Sequence, residues 1–153
     1  MKEFNYDLNY KELDFTDEET RQLYRIGRGE QGVLLVRPYT NDICAHWRFK
    51  TPEIAQKSAK KIYEMYLEYR DDKDFIGMDM CRKFLEMGFT RSRRYANHRN
   101  GKKYDKEGNI IPQEKDHATC HFATSATIFK KTRDVVAKNE TYVKMRKQWR
   151  SEE

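Results

Sequence analysis

The residues best suited to chemistry lie in one basic run, Phe89 to Tyr104. This segment, FTRSRRYANHRNGKKY, contains six Lys and Arg residues and no Asp or Glu. The chain has 31 basic and 25 acidic residues, so its net charge of +6 is concentrated in this run. Because clustered like charge repels itself, the run is typical of a surface that binds a polyanion, a phosphorylated ligand or an acidic protein face.

Helical spacing would bring several of these side chains onto one surface. In a helix, Arg91, Arg94, Tyr95 and His98 fall at positions i, i+3, i+4 and i+7, and Arg93 begins an adjacent row. Guanidinium groups beside an aromatic ring suit phosphate contacts combined with base stacking. The alternative is internal pairing with acids elsewhere in the chain, such as Glu68, Asp71, Asp72 and Asp74.

The first half of the chain adds two weaker anion-site candidates. The loop from Gly27 to Gly32 has the pattern G-x-G-x-x-G, but an aliphatic run that predicts a strand follows it, which excludes a dinucleotide-binding helix start. Its backbone amides beside Arg28 remain a possible phosphate cradle. Thr51 and Pro52 begin a long helix whose free amides lie near Arg48 and Lys50.

These features define one predicted ligand-binding set. Its members are Arg28, Arg48, Lys50, Arg91, Arg93, Arg94, Tyr95, His98, Arg99, Lys102 and Lys103. We expect no cofactor and no metal site, because the cluster of Asp116, His117, Cys120 and His121 has no C-x-x-C motif to complete a closed zinc site. The sequence assigns no catalytic residue, and His98 and His46 are the first candidates for a general acid or base if the protein is an enzyme.

The elements that must position these residues are mostly helical. Thr51 and Asp74 predict the N-caps of two long helices that pack as a hairpin over Pro52 to Gly88, with Gly88 either ending the second helix or lying inside it. Further caps are predicted at Thr16, at Thr124 or Ser125, and at Asn139. The region from 105 to 123 predicts a loop or hairpin around Gly108.

Strand signals complete the fold prediction. Val33 to Val36 is an aliphatic run between glycines and a proline, Ala45 to Lys50 alternates apolar and polar residues, and residues 1–15 suit an extended strand or docked arm. We therefore expect an α+β fold, a mostly helical single domain with a small antiparallel sheet.

Composition limits the cellular setting. Three widely spaced cysteines argue against a disulfide framework and favour a reducing compartment. The polar opening does not resemble a signal peptide, and no segment has the roughly 20 apolar residues that cross a bilayer. We expect a cytoplasmic protein without a membrane partner.

Three segments carry a family resemblance: YRIGRGEQGVLLVRPY, HWRFKTPEIA and GMDMCRKFLEMGFTRSRRYANH. Over residues 6 to 104 the chain resembles a family of short uncharacterised proteins from tailed phages, bacteria and some fungi, domain of unknown function 4385. The resemblance implies a single compact domain and, for a viral copy, action in the host cytoplasm. It implies no activity, and residues 105 to 127 lie outside the resemblance.

The function expected from the sequence is that of an anion-binding protein, foremost a nucleic-acid-binding accessory protein that contacts phosphates without base-specific readout. The alternative is a pocket for a nucleotide or another phosphorylated small molecule, with or without enzymatic activity on it. An acidic protein partner is a third reading of the same charge. The sequence does not indicate an oligomeric state.

Overall fold

The computed structural model describes residues 2–153, and its regular structure is helical throughout. A 3-10 turn at Tyr10–Glu12 precedes six α-helices: α1 Glu18–Arg21, α2 Tyr39–Cys44, α3 Pro52–Asp71, α4 Phe75–Asn97, α5 His121–Lys138 and α6 Glu140–Glu152. Within the described residues no β-strand forms, and the only strand-like pairing is an isolated antiparallel bridge between Tyr104 and Ile110. The predicted α+β class with a small antiparallel sheet is therefore wrong, because the protein is all-helical.

The aliphatic run Val33 to Val36 forms successive turns instead of the predicted strand. The amides of Val33 and Leu35 donate to carbonyls three residues earlier, at Glu30 and Gly32. Val33 and Val36 are buried while Leu34 is 51% exposed, so burial recurs every three residues and not every two. Positive φ at Gly32 permits this tight path, and no second extended segment lies alongside to pair with a strand.

The second predicted strand, Ala45 to Lys50, is an irregular segment that follows α2. The predicted alternation of apolar and polar residues is present, since Trp47 and Phe49 both pack against the core. Its hydrogen-bond partner is a helix side chain: Ser58 of α3 accepts from the Arg48 amide at 3.0 Å and donates to the His46 carbonyl at 2.7 Å. One serine therefore replaces the neighbouring strand that the pattern predicted.

The N-terminal segment is a docked arm and not a strand. Phe4, Tyr10 and Phe15 are buried, and their rings follow one another at centroid distances of 5.3 and 5.9 Å. Phe15 in turn meets Tyr24 edge to face at 6.4 Å. This aromatic row covers the core where a sheet was expected.

The long helices begin and end close to their predicted positions. Thr51, Asp74 and Asn139 are the N-caps of α3, α4 and α6, and each side chain accepts a backbone amide hydrogen bond as predicted. Two starts differ: Asp17, not Thr16, caps α1, and α5 begins at His121, ahead of the predicted Thr124 or Ser125. The predicted hairpin of α3 and α4 is confirmed.

Helix α4 is the centre of the fold, because α2, α3, α5 and α6 all pack against it. Gly88 lies inside this helix, where the chain of α5 comes very close. A Cβ atom at position 88 would overlap the ring of Phe129, which is fully buried. The glycine thus sets the spacing between α4 and α5. Among the helices of residues 2–153, none combines the length and apolar character needed to cross a membrane.

Replacement of Gly88 tests this close contact. In an open helix, Gly→Ala stabilises by about 1 kcal/mol. We expect Gly88→Ala to destabilise instead, by roughly 1 to 3 kcal/mol, because the methyl group collides with Phe129. Urea unfolding followed by circular dichroism measures the change. The double variant Gly88→Ala/Phe129→Leu should lose less stability than the sum of the losses of the two single variants, because the smaller side chain makes room for the methyl group. If the two losses simply add, the contact between positions 88 and 129 is not the cause.

Candidate functional site

The basic run occupies the last turns of α4 and the loop that follows it. Arg91 and Arg94 lie one helical turn apart, with Arg91 exposed and Arg94 half-buried. Lys102 and Lys103 are exposed in the loop. The helix predicted for Arg91 to His98 is therefore present as far as Asn97, with His98 as its extended C-cap, and the end of the central helix carries the charge.

Two of the six basic side chains have structural partners. Arg99 forms an ion pair with Asp116 at 2.6 Å, and its amide donates to Glu114 at 3.2 Å. Arg93 donates to the side chain of Asn97 at 2.8 Å and to the carbonyl of His117 at 3.1 Å. Both arginines hold the segment that precedes α5 against the end of α4.

The other four basic side chains, Arg91, Arg94, Lys102 and Lys103, form what we call the cationic patch. Within residues 2–153, none of the four lies within ion-pair distance of a carboxylate. Arg91 does influence one carboxyl group, Glu30, whose pKa is raised by burial while the charge of Arg91 opposes the rise. The patch is therefore not neutralised by salt bridges within the protein.

The loop that follows α4 turns back beside the end of this helix. Gly101 has a φ of 76°, and its amide donates to the His98 carbonyl at 2.7 Å. A Cβ atom at Gly101 would lie 3.0 Å from the ring of Tyr95. The chain therefore turns back at Gly101 beside Tyr95, and the two lysines directly follow this turn.

His98 is buried at the C-terminal end of α4, with only 5% of its surface exposed. Its amide donates to the Arg94 carbonyl at 2.8 Å, and its Nδ1 has no hydrogen-bond partner among the described residues. The histidine ends the helix and does not point into solvent with the arginines. A bound ligand on the surface would not meet it directly.

An aromatic groove adjoins the patch. It is lined by Trp47, Phe49, Tyr95 and Phe122 together with Arg48 and Lys50, and it encloses about 870 Å³. The ring of Phe49 lies 5.2 Å from Trp47 and 5.7 Å from Tyr95, and Tyr95 lies 5.5 Å from Phe122. All four rings are only half-buried.

Hydrogen bonds fix the wall of this groove. The indole of Trp47 donates to the Phe84 carbonyl of α4 at 3.0 Å. The guanidinium of Arg48 donates to the carbonyls of Trp47 and Cys44 at 2.6 and 3.2 Å, while Arg48 itself stays exposed. Arg48, Lys50 and Tyr95, predicted separately from the sequence, thus meet at one surface.

The glycine loop does not join that surface. Arg28 pairs with Glu3 at 3.1 Å and lies beside Tyr6 and Gly32 in a separate shallow depression. The Arg28 amide donates to the side chain of Gln31 at 2.8 Å, and the Gly32 amide donates to Tyr6 at 3.1 Å. These amides already have acceptors within the protein, so the loop does not offer them to a phosphate.

A buried charged cluster that the sequence did not single out lies in the first half of α4. Asp79 is fully buried and accepts hydrogen bonds from Arg82 at 2.8 Å, from Tyr142 at 2.6 Å and from Tyr24. Lys83, also fully buried, has its Nζ 4.0 Å from the Asp79 carboxylate. We call these five residues the Asp79 cluster.

The cluster also holds the glycine loop in place. Arg82 donates to the Gly29 carbonyl at 3.0 Å, and Lys83 donates to the Gln31 carbonyl at 2.7 Å. The Lys83 ammonium lies 4.8 Å from the ring centre of Tyr24 and 4.9 Å from that of Phe4. The loop therefore presents carbonyl oxygens to interior cations, the opposite polarity to a phosphate cradle.

Burial and charge set the pKa values of the cluster. Burial alone would raise the pKa of Asp79, but the charges of Arg82 and Lys83 and the hydrogen bonds hold it well below its ordinary range. Burial lowers the pKa of Lys83 to about 7, although Asp79 opposes the change. Because Arg82 keeps its charge at all relevant pH values, it is the permanent counter-ion of Asp79, and Lys83 is the group that titrates.

A sequence signal for this cluster existed. Asp79, Arg82 and Lys83 stand at i, i+3 and i+4 within an otherwise apolar stretch, IGMDMCRKFL. Charged residues on an apolar helical face are buried when they have partners. The tyrosines that complete the cluster lie more than fifty residues away in either direction, so no local pattern connects them to Asp79.

Comparison with known proteins gives a family but no functional relative. The model of a family described as Domain of unknown function (DUF4385) matches residues 5–152. The match thus extends through residues 105 to 127, which the sequence reading had placed outside the resemblance. No curated protein and no solved structure matches the chain.

Replacement of Asp79 tests the role of the cluster. Asp79→Asn removes the carboxylate that offsets the buried charge of Arg82, and we expect a loss of roughly 3 to 5 kcal/mol in the free energy of unfolding. Asp71→Asn, at an exposed carboxylate near the end of α3, is the matched control and should change stability by less than about 0.5 kcal/mol. Urea titration of both variants measures the difference. Equal, small losses would show that Asp79 is not a stabilising centre.

Titration of Lys83 gives a pH dependence with a definite sign. Between about pH 7 and the ordinary lysine value of 10.5, the unfolded chain binds a proton that the folded chain has released, so stability rises with pH. We expect the free energy of unfolding to increase by roughly 2 kcal/mol from about pH 7 to about pH 9. The raised pKa values of Tyr24 and Tyr142 affect stability only above about pH 10.

Two lysine variants check this assignment by urea unfolding at each pH. Lys83→Met should lose the increase, because the titrating amine is gone. Lys61→Met, at an exposed position of α3, should retain it. An increase that persists in Lys83→Met would assign the titration to another group.

Proposed function

We propose that this chain, which belongs to the family described as Domain of unknown function (DUF4385), is a nucleic-acid-binding protein that holds the phosphate backbone without reading base sequence. The observation that carries the proposal is the cationic patch: Arg91, Arg94, Lys102 and Lys103 lie in the last turns of α4 or in the loop that follows, and within residues 2–153 none of the four forms an ion pair. Phosphate groups are the anions that such a surface binds best.

The treatment of arginines elsewhere in the protein supports this proposal. Arg21 pairs with Asp74 at 2.8 Å, and Arg133 pairs with Glu86 at 2.6 Å. Arg82 is buried against Asp79. The fold therefore provides counter-ions for some arginines and leaves others, including Arg91 and Arg94, without an ion pair among the described residues, so the patch can offer its charge to a partner outside the chain.

The form of the patch favours backbone contacts over base readout. Two arginines project from a helix end, and two lysines lie on an exposed loop beside it. Lysine ammonium groups on flexible side chains act as point charges and follow phosphates without selecting bases. Affinity that depends on charge and salt, with little dependence on sequence, follows from this arrangement.

Charge removal tests the proposal directly. We expect the double variant Arg91→Gln/Arg94→Gln to bind an oligothymidylate of about 20 nucleotides more weakly, and the slope of log K against log salt concentration to become less steep by about 1.4. Fluorescence anisotropy between about 50 and 200 mM salt measures both. The matched control is Lys144→Gln/Lys147→Gln on α6, which removes the same charge from exposed positions of a helix that packs on the first turns of α4.

The control variant should have nearly the same slope of log K against log salt concentration as the unmodified protein, because its lysines lie away from the patch. Absence of binding at about 50 mM salt, or a slope that the patch variant leaves unchanged, would refute the proposed function. A mononucleotide that binds as tightly as the polymer would favour the alternative of a pocket for a phosphorylated small molecule.

A further inference from the structure

The aromatic groove carries a more specific inference about the polymer. Four half-buried rings in mutual contact are unusual on a monomer surface, because aromatic side chains contribute most when they are fully buried. Their groove of about 870 Å³ lies within the range of volumes that enclose organic ligands. The surface has the size and chemistry of a site for flat apolar groups.

The charges around the groove restrict what those flat groups belong to. Arg48 and Lys50 form part of the groove, and Tyr95 of the groove directly follows Arg94 of the cationic patch on α4, so the two surfaces adjoin. Among the described residues that line the groove, none is acidic. A ligand that binds to both the aromatic groove and the cationic patch needs flat rings attached to a negatively charged backbone.

We infer that the aromatic groove is a base-stacking subsite and that the polymer held by the cationic patch is single-stranded nucleic acid. This inference rests on the proposed function and adds the class of substrate to it. In a duplex the bases are stacked on one another and their faces are covered, whereas a single strand can turn its bases outward onto aromatic rings. The phosphates between those bases then lie within reach of Arg48, Lys50 and the patch.

The fixed indole of Trp47 makes the inference measurable. The chain contains two tryptophans, and Trp149 lies away from the groove, stacked on Phe75 at 5.3 Å. Trp149→Phe therefore leaves Trp47 as the single tryptophan reporter. Bases that stack in the groove should quench its fluorescence.

The decisive comparison varies the ligand and keeps the protein constant. The full-length chain with Trp149→Phe is titrated with an oligothymidylate of about 20 nucleotides, with an abasic oligonucleotide of equal length, and with a duplex of equal charge. We expect the oligothymidylate to quench Trp47 and to bind about tenfold more tightly than either of the others. Unmodified protein, followed by anisotropy, provides the same comparison of affinities.

A pair of protein variants adds a second test. Phe122→Leu removes one ring of the groove and keeps its apolar character, so oligothymidylate affinity should fall toward that of the abasic strand. Tyr63→Leu changes a half-buried aromatic residue of α3 outside the groove and should leave the affinity unchanged. Thermal unfolding confirms that both variants are folded before they are compared.

The outcomes separate the inference from the proposed function. Equal affinity for oligothymidylate, abasic strand and duplex, without quenching, overturns the stacking subsite while phosphate binding stands. No binding to any of the three overturns both. A groove that instead joins two copies of the chain would give a dimer in sedimentation and no quenching by oligothymidylate, which also overturns the inference.

Discussion

The interaction on which the rest of the structure depends is the buried carboxylate of Asp79. It accepts hydrogen bonds from Tyr24 in the N-terminal half, from Tyr142 in α6 and from Arg82 one turn along α4. Segments far apart in sequence therefore meet at one charge in the first half of the central helix. A buried carboxylate without these donors would be very unfavourable, so the surrounding segments must take up their native positions together.

The cluster explains why a chain with so few regular elements in its first fifty residues is still ordered there. Arg82 and Lys83 donate to carbonyls of the glycine loop, and Arg150 of α6 donates to the Gly27 carbonyl at 2.9 Å. Backbone groups that would pair within a sheet are satisfied by interior cations and by side chains such as Ser58. The aromatic arm, with Phe4 and Tyr10 stacked, then covers this polar interior.

How much of this could be predicted from the sequence depends on the range of the interactions. Caps at Thr51, Asp74 and Asn139 act within one turn, so the first residues of α3, α4 and α6 were predicted correctly. The run Val33 to Val36 has high strand propensity, but a strand needs a partner, and the chain supplies none. Strand propensity is a property of the segment alone. Which structure the segment adopts depends on the distant groups that form hydrogen bonds with its backbone.

The candidate site shows the same division. The charge excess and the helical spacing of Arg91 and Arg94 are local, and the sequence predicted both. The meeting of Tyr95 with Phe49 and Phe122 depends on how α4, the segment after α2, and α5 pack, which spacing alone does not encode. The Asp79 cluster was missed for a related reason, since its tyrosine donors come from opposite ends of the chain.

Helix α4 uses its charges in two ways, and the difference bears on binding. In its first half the cations face inward and stabilise the fold, whereas Arg91 and Arg94 in its second half form no ion pair with any carboxylate of residues 2–153. The segment that precedes α5 is held against this end of α4 by Arg93 and Arg99, through the His117 carbonyl and Asp116. Because these two arginines fix that segment before any ligand arrives, the proposed binding of an extended anion would require less ordering of the protein at this end of α4.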